Sequence, residues 1–420
     1  MSVRRASPQA LRIGALASVV VVGGGYAGVL AANRIAGRLG SSVRVTLVTE
    51  CPELVHRVRL HEVLVGTRLR RYPLRSVLHA SVRTLAGRAA HIDGRAGECE
   101  LVSGEKLHFD QLVLAAGSRI DDEVPGVREH AFALSGPDPA LAFAAKLKAL
   151  PSGSTVTVVG SGLTGVEVAC EVAEAHPRLD VRLMGSELAT SWPTALRELL
   201  RTEVEALGVA IELNVEAVGI EPDALLLSDG QRRTSQATVW TAGFRGSALG
   251  IASNFPVDSY GRVRVDEALR VEGQPSVVAA GDIAAPPLVC GGSGIAPLRM
   301  ACATAIPMGA HAADVVIAQL AGAVPLRFRY RNTVQCVSLG RHRGLLVFID
   351  QDDQPTGRVL AGRWGALAKE FICRAVIGTL RLERIFPGAY VWPGGGAREP
   401  IATPLRLTAG VSRHDARSRW

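Results

Sequence analysis

The stretch VTVVGSGLTGVE, residues 156–167, decides the fold. Val156 to Val159 form a short apolar, β-branched run that ends on Gly160, and Gly162 and Gly165 precede a second apolar run from Val166. Such a run reads as a buried strand, and a glycine turn that opens a helix directly after it has the G-x-G-x-x-G spacing of a dinucleotide site. The first glycine makes the tight turn. The second lets a pyrophosphate approach the backbone, and the third lets helix and strand pack closely. The helix N-terminus then points at the anion. The chain has already done this once, where Val19 to Val22 lead into Gly23-Gly24-Gly25-Tyr26-Ala27-Gly28.

Outward from the two loops a longer pattern repeats. In the first copy a helix is expected over 29–39 and a strand over 43–48, closing on Glu50, 22 residues past Gly28 (50 − 28). A carboxylate there accepts hydrogen bonds from ribose hydroxyls. A later strand, Phe109 to Leu114, ends in Ala115-Ala116-Gly117. In the second copy the helix is expected over 166–175 and the strand over 181–184, and Ala237 to Trp240 end in Thr241-Ala242-Gly243. From first to closing glycine the copies span 94 and 83 residues (117 − 23 and 243 − 160). That is duplication of a whole domain type. A third strand, from Ser276, ends in Gly281-Asp282 ahead of a helix expected over 299–321, and is read as returning to complete the first copy.

The fold class is therefore α/β, with two Rossmann-like dinucleotide-binding domains, the second inserted in the first, and a C-terminal α+β region. The expected boundaries are 1–120 and 246–324 for the first domain, 121–245 for the insert and 325–420 for the remainder. Two loops imply two dinucleotides, one resident and one exchanging. A carboxylate at Gly281-Asp282, beside the first loop, suits a long cofactor whose ribityl chain runs inward, which is FAD. The second loop then takes NAD(P)H, and the cofactors carry the redox chemistry while the protein positions them.

Composition agrees with a globular chain of 420 residues, 48% apolar and 20% charged. The formal net charge is +8, and only Lys106, Lys146, Lys148 and Lys369 are lysines. No basic run is long enough for a nucleic-acid surface, so the excess points to anionic ligands, an acidic partner or a membrane surface, or to compositional bias. Seven scattered cysteines show no CxxC pair and argue for neither a disulfide framework nor a zinc site. A reducing, cytoplasmic compartment fits. The uncharged stretch 13–33 looks superficially like a signal or membrane segment, but its three successive glycines fit a strand turning into a helix.

The segments VVVVGGGYAG, FDQLVLAAGS, VTVVGSGLTGVE, VWTAGF and VVAAGDIA, in this order and spacing, resemble the flavoprotein superfamily with two dinucleotide-binding domains, over roughly residues 17 to 320. Within it the chain is most similar to the type II NADH dehydrogenases, which pass electrons from NADH to quinone. The resemblance implies FAD, NADH or NADPH, a quinone acceptor and a protein held peripherally on the cytoplasmic face of a membrane. The chain departs from its relatives in two ways. Only Cys51 stands where disulfide reductases of the superfamily carry a cysteine pair. The AQxxxQ stretch associated with quinone reads Ala303-Thr304-Ala305-Ile306-Pro307-Met308, without its glutamines. A ferredoxin- or rubredoxin-type carrier therefore remains an alternative acceptor, and a flavin-bearing interaction protein with little turnover a further reading. Cys290 and Cys336, set beside the reactive cysteines of sulfide:quinone reductases, are read as structural thiols.

The resemblance also suggests working residues. Glu167 stands where relatives place an acid near the nicotinamide, although an exposed first-turn glutamate suits a helix dipole equally. Arg299-Met300 is expected to begin the helix after Asp282; if that end faces the flavin it stabilises negative charge, and otherwise it is an ordinary helix start. His61-Glu62 falls where relatives line the flavin, as a proton-handling or a structural pair. His311 is read as packed. The expected cofactor contacts are Gly23, Gly25, Tyr26, Ala27, Gly28, Glu50, Ala116, Gly117, Gly281 and Asp282 for FAD, and Gly160, Gly162, Gly165, Glu187 and Gly243 for NAD(P)H. Glu187 lies at the offset that Glu50 has in the first copy, whereas aligning the strands' alternation puts Ser186 there. With no arginine until Arg197, the count favours NADH. Finally, residues 364–386 place apolar side chains at 364, 367, 368, 371, 372, 375, 382, 385 and 386, a helical stripe opposite Lys369, Arg374, Arg381 and Arg384. It suits a membrane surface, the protein's own core or a second subunit as in a homodimer.

Overall fold

The computed structural model describes residues 16–287, 298–350 and 354–395. Its first sheet grows from β1 (Ala17–Val22), in which Val19 to Val22 are at most 5% exposed. A strand covered on both faces needs a continuous apolar run, so no alternation appears in its sequence. Helix α1 (Tyr26–Leu39) follows, then β2 (Val43–Thr49), β3 (Arg83–Ala86) and β4 (Gln111–Leu114). A short strand β5 (Ser118–Ile120) carries the chain into the second sheet. There β6 (Ala131–Ala133) and β7 (Thr155–Val159) precede helix α2 (Leu163–Ala175). Then come β8 (Asp180–Met184), helix α3 (Thr194–Glu205), β9 (Ala210–Glu212) and β10 (Ala237–Trp240). Strand β11 (Phe244–Gly246) brings the chain back, ahead of β12 (Arg270–Val271), β13 (Gln274–Ala279) and helix α4 (Cys302–Leu320). The described chain ends with β14 (Val334–Leu339), β15 (Arg343–Ile349), β16 (Pro355–Ala361) and helix α5 (Gly362–Ile385).

The first sheet has the order β12-β13-β4-β1-β2-β3, parallel except for the antiparallel pair β12–β13. Strand β13, which leads into Gly281-Asp282, thus pairs with β4 of the first copy. The second sheet, β9-β8-β7-β10-β6, is wholly parallel. The two crossing strands β5 and β11 pair with each other, Ile120 opposite Phe244, so the chain leaves and re-enters at one place.

Helix α1 packs against the first sheet and against α4, which also touches strands β4 and β13 of that sheet. A Cβ on Gly309 of α4 would sit 2.4 Å from the carbonyl oxygen of Ala27, so glycine there sets the close approach of α4 to the first loop. The C-terminal helix α5 is held to α1 by a buried pair: Arg34 Nε donates to Glu383 Oε1 at 2.6 Å, with side chains 3% and 0% exposed. The antiparallel sheet β14-β15-β16 packs against α5 on one side and reaches α2 on the other. It thereby closes the space between the two glycine loops.

The structure changes three sequence expectations. The helix after Asp282 begins at Cys302 rather than Arg299. Strand β16 was not expected, because its exposed, unevenly polar sequence PTGRVLA lacks a buried face. The apolar stripe along and just past α5 packs into its own domain only in part: Trp364, Leu367, Phe371, Leu382, Ile385 and Phe386 are exposed, Ala368 and Ile372 are half-buried, and the face carrying Gly365, Cys373, Val376, Ile377, Leu380 and Glu383 is the buried one.

Candidate functional site

Both glycine loops show the same division of labour. A Cβ on Gly23 would lie 2.2 Å from Ala115 O and one on Gly28 1.9 Å from Gly23 O; on Gly160 and Gly165 it would meet Thr241 Oγ1 at 2.6 Å and Gly160 O at 1.7 Å. These first and third glycines are fixed by the protein's own packing. The middle glycines differ: a Cβ on Gly25 or Gly162 meets nothing within 4 Å. Each loop therefore keeps an open approach to its backbone at the start of a long helix, the cradle that a pyrophosphate requires. Glu50 is exposed at the end of β2. Gly117, Gly243 and Gly281 hold positive φ at 68°, 95° and 79°, at strand ends facing the loops.

Between the loops lies a cavity of about 800 Å³. The first domain lines it with Tyr26, Arg57, His61, Ser118 and Asp282, and the second with Leu163, Thr164 and Glu167. Residues Arg299 to Ala303, which lead into α4, form another wall, and Gln335, Cys336, Lys369 and Ile372 close it from the C-terminal region. Asp282 accepts a hydrogen bond from Ser118 Oγ at 2.8 Å, while the Arg57 guanidinium donates to the same serine at 3.3 Å. Burial pushes the Asp282 carboxyl above its usual range, opposed by Ser118, Arg57 and Arg262. A buried acid that accepts hydrogen bonds suits hydroxyl groups better than apolar ligands.

Glu167 is not an exposed first-turn glutamate. Its Oε1 accepts from Lys369 Nζ at 2.7 Å and from the Ser338 amide at 3.0 Å, and both charged side chains are only 14% exposed. Burial alone pushes Glu167 up, but Lys369, His61 and the Ser338 amide outweigh it and hold the carboxyl below its usual range. The same pairing keeps Lys369 protonated against burial. His61, on the single helical turn Leu60–Val63, sets Nδ1 3.8 Å from Glu167 and Nε2 3.9 Å from Glu171. Burial pushes its imidazole down to about 4, so it is neutral near pH 7, and Nε2 has no hydrogen-bond partner. Behind it Arg341 binds both Glu171 and Glu62, and burial pushes the Glu171 carboxyl up to about 7. The result is a row of alternating charges from the cavity wall inward, with the proton held on the ammonium and the touching carboxylate ionised.

The structure thus brings Tyr26, His61, Glu167, Arg299 and Asp282 to one cavity. His311 is packed, its ring 5.3 Å from Phe328 and 6.2 Å from Trp392. Glu187 lies at the far end of the second loop, exposed and paired with Arg197. Lys369, expected on the polar face of α5, is instead turned inward to Glu167. Cys51 and the other five cysteines among the described residues are free; Cys290 lies outside those residues. Sequence reading missed Lys369, Arg57 and Ser118. For Lys369 a signal existed: a lysine in an arginine-rich chain, one helical turn from the small residues Gly365 and Cys373.

With both loops and the cavity between them described, the relationship to known proteins is direct. Residues 17–314 match the pyridine nucleotide-disulphide oxidoreductase family. The chain belongs to that family. It is an oxidoreductase that uses NAD(P)H, and the family's cofactors are FAD and the nicotinamide dinucleotide. It is 31% identical over 353 residues to an NADH dehydrogenase-like protein of Mycobacterium tuberculosis, covering 77% of this chain and 85% of the relative. A type II NADH:quinone oxidoreductase from the same organism is 29% identical, over 73% of each chain. Among solved structures, the sulfide:quinone oxidoreductase of Aquifex aeolicus shares the fold at a TM-score of 0.71 and 18% identity, covering 91% of this chain and 100% of that one.

Proposed function

We propose that this chain is a type II NADH dehydrogenase-like enzyme that transfers hydride from NAD(P)H to FAD and passes the electrons to a quinone. The reading rests above all on the cavity between the two loops, into which the first domain, the second domain and the C-terminal region each send polar side chains. At it and beside it, Gly23, Gly25, Tyr26, Ala27, Gly28, Glu50, Ala116, Gly117, Gly281 and Asp282 would hold FAD, and the loop 160–165 with Gly243 would hold the nicotinamide dinucleotide. When bound, FAD accepts two electrons as hydride and returns them to the acceptor.

The protein's part is positional and electrostatic. Gly25 and Gly162 admit the two pyrophosphates. Asp282, with Ser118, takes the polyol hydroxyls. The N-terminal end of α4, beside Arg299, stabilises negative charge at the cavity wall. Glu167 and Lys369 stand in contact at the same wall, so the ammonium offers a hydrogen bond to an acceptor oxygen while the carboxylate keeps it charged and oriented. His61, neutral near pH 7, stands beside this pair with Nδ1 3.8 Å from Glu167.

Quinone is favoured by the outer face of α5. Its exposed apolar side chains run from Trp364 to Phe386, flanked by exposed Arg363, Arg374 and Arg381. A helix so built lies on an anionic lipid surface, where a lipid-soluble acceptor is met. No helix among the described residues is long and apolar enough to cross a membrane. The test is an acceptor panel under NADH: turnover with a short-chain quinone and little with a ferredoxin supports the reading, and the reverse order refutes it.

A further inference from the structure

The two glycine loops can be aligned through their own hydrogen bonds rather than by counting. The Gly23 amide donates to Val48 O at 2.9 Å, and the Gly160 amide to Met184 O at 2.8 Å. The parallel registers agree, with Val22 opposite Val48 and Val159 opposite Met184. The contact between loop and strand end also recurs, with the side chain on the other partner. A Cβ on Gly24 would meet Thr49 Oγ1 at 2.7 Å, and a Cβ on Gly185 would meet Ser161 Oγ at 2.3 Å. Gly185 therefore stands where Thr49 stands, and Ser186 stands where Glu50 does. Glu187 lies one residue further on and is not the structural counterpart of Glu50.

This changes the chemistry next to the second loop. A carboxylate at the Glu50 position repels a 2′-phosphate, whereas a serine leaves room and offers a hydroxyl. Arg197 of α3, distant in sequence, is folded against Glu187 in an ion pair. Its Nη2 lies 3.4 Å from Thr194 Oγ1, and its Nε is buried without a hydrogen-bond partner. Ser161 of the loop itself donates to the Glu187 carbonyl at 2.7 Å, which ties this pair to the pyrophosphate cradle. Arg182, the other nearby cation, is committed to Glu212 at 2.7 Å. Of these two cations Arg197 is the one with an unsatisfied donor, and a guanidinium fork fits phosphate.

We propose that Arg197 recognises the 2′-phosphate of NADPH, that Ser186 makes room for it, and that the enzyme binds NADPH at least as well as NADH. Glu187 is a positioning residue that holds the guanidinium beside the site. The proposal rests on the second loop being the NAD(P)H site. It is tested by calorimetric titration of the oxidised protein with NADP⁺ and with NAD⁺, and by kcat/KM for the two reduced forms. Wild type is expected to bind NADP⁺ no more weakly than NAD⁺. Arg197→Ala and Ser186→Glu should each weaken NADP⁺ by about tenfold to a hundredfold, the worth of a charge-assisted hydrogen bond, and leave NAD⁺ within about threefold. A wild-type preference for NAD⁺ of tenfold or more, or equal loss of both ligands in Arg197→Ala, overturns the proposal. Failure of both dinucleotides to bind overturns the assignment of the loop and the proposal with it.

Discussion

Replacing Lys369 by methionine keeps most of the side chain's apolar stem and removes only the charge, which isolates what the Glu167–Lys369 pair contributes. Nζ and Oε1 are 2.7 Å apart and both side chains are 14% exposed, so the contact is screened by protein more than by water. At an effective dielectric of about 20 the Coulomb attraction at that distance is roughly 6 kcal/mol, from which desolvation must be subtracted. Breaking a buried pair by removing one partner costs about 3–5 kcal/mol, and that is the loss expected for Lys369→Met. The pH dependence gives a second reading. In the native protein Glu167 is held below its usual range, so its contribution is present above the unfolded pKa and is lost as pH falls through the folded one. Without the ammonium, burial dominates and raises the carboxyl, so stability is lost as pH rises instead. Urea unfolding at pH 5 and pH 8 should therefore show a larger gap between wild type and variant at pH 8. Adding Glu167→Gln to Lys369→Met should recover a large part of the loss, because no unpaired charge then remains. A variant within about 1 kcal/mol of wild type at both pH values would refute the claim that the pair is buried and coupled.

Asp282→Ala should yield folded protein with FAD content reduced several-fold, read from the flavin absorbance of the purified protein, because it removes a ligand contact and not core packing. Cys51→Ser should leave NADH oxidation within a few-fold of wild type; a hundredfold loss with FAD still bound would mean that dithiol chemistry operates after all. Leu382→Glu places a charge in the exposed stripe of α5 and should move protein from the membrane to the soluble fraction while sparing FAD, whereas a dimer that splits instead would assign the stripe to a second subunit.

Much of the fold was legible because the glycine loops carry their own mechanism. Gly23, Gly28, Gly160 and Gly165 are required by steric contacts that no other residue permits, and the runs Val19–Val22 and Val156–Val159 need burial on both faces. The return of β13 to the first sheet followed from the repeat itself. Register was open between two readings, since the strands' alternation pointed to Ser186 and the residue count to Glu187. Gly28 to Val48 is 20 residues and Gly165 to Met184 is 19 (48 − 28 and 184 − 165), so counting from the third glycine slips by one and lands on Glu187 instead of Ser186. Long-range partners were hidden. Lys369 lies 202 residues from Glu167, and its local signal, a place one turn from Gly365 and Cys373, does not name that partner or show that Trp364 and Phe371 are left exposed. The apolar stripe was visible as a stripe, but which face of the helix met the core depended on Arg34, Glu383 and the neighbouring sheet.

The most direct test of a two-dinucleotide oxidoreductase is an anaerobic absorbance titration of the purified protein with NADH, repeated with NADPH. One FAD per chain, bleached by about one equivalent of either reductant and recoloured on adding a quinone, is the predicted result. A folded, colourless protein that refuses added FAD, or a bound flavin that neither reductant bleaches, would contradict it.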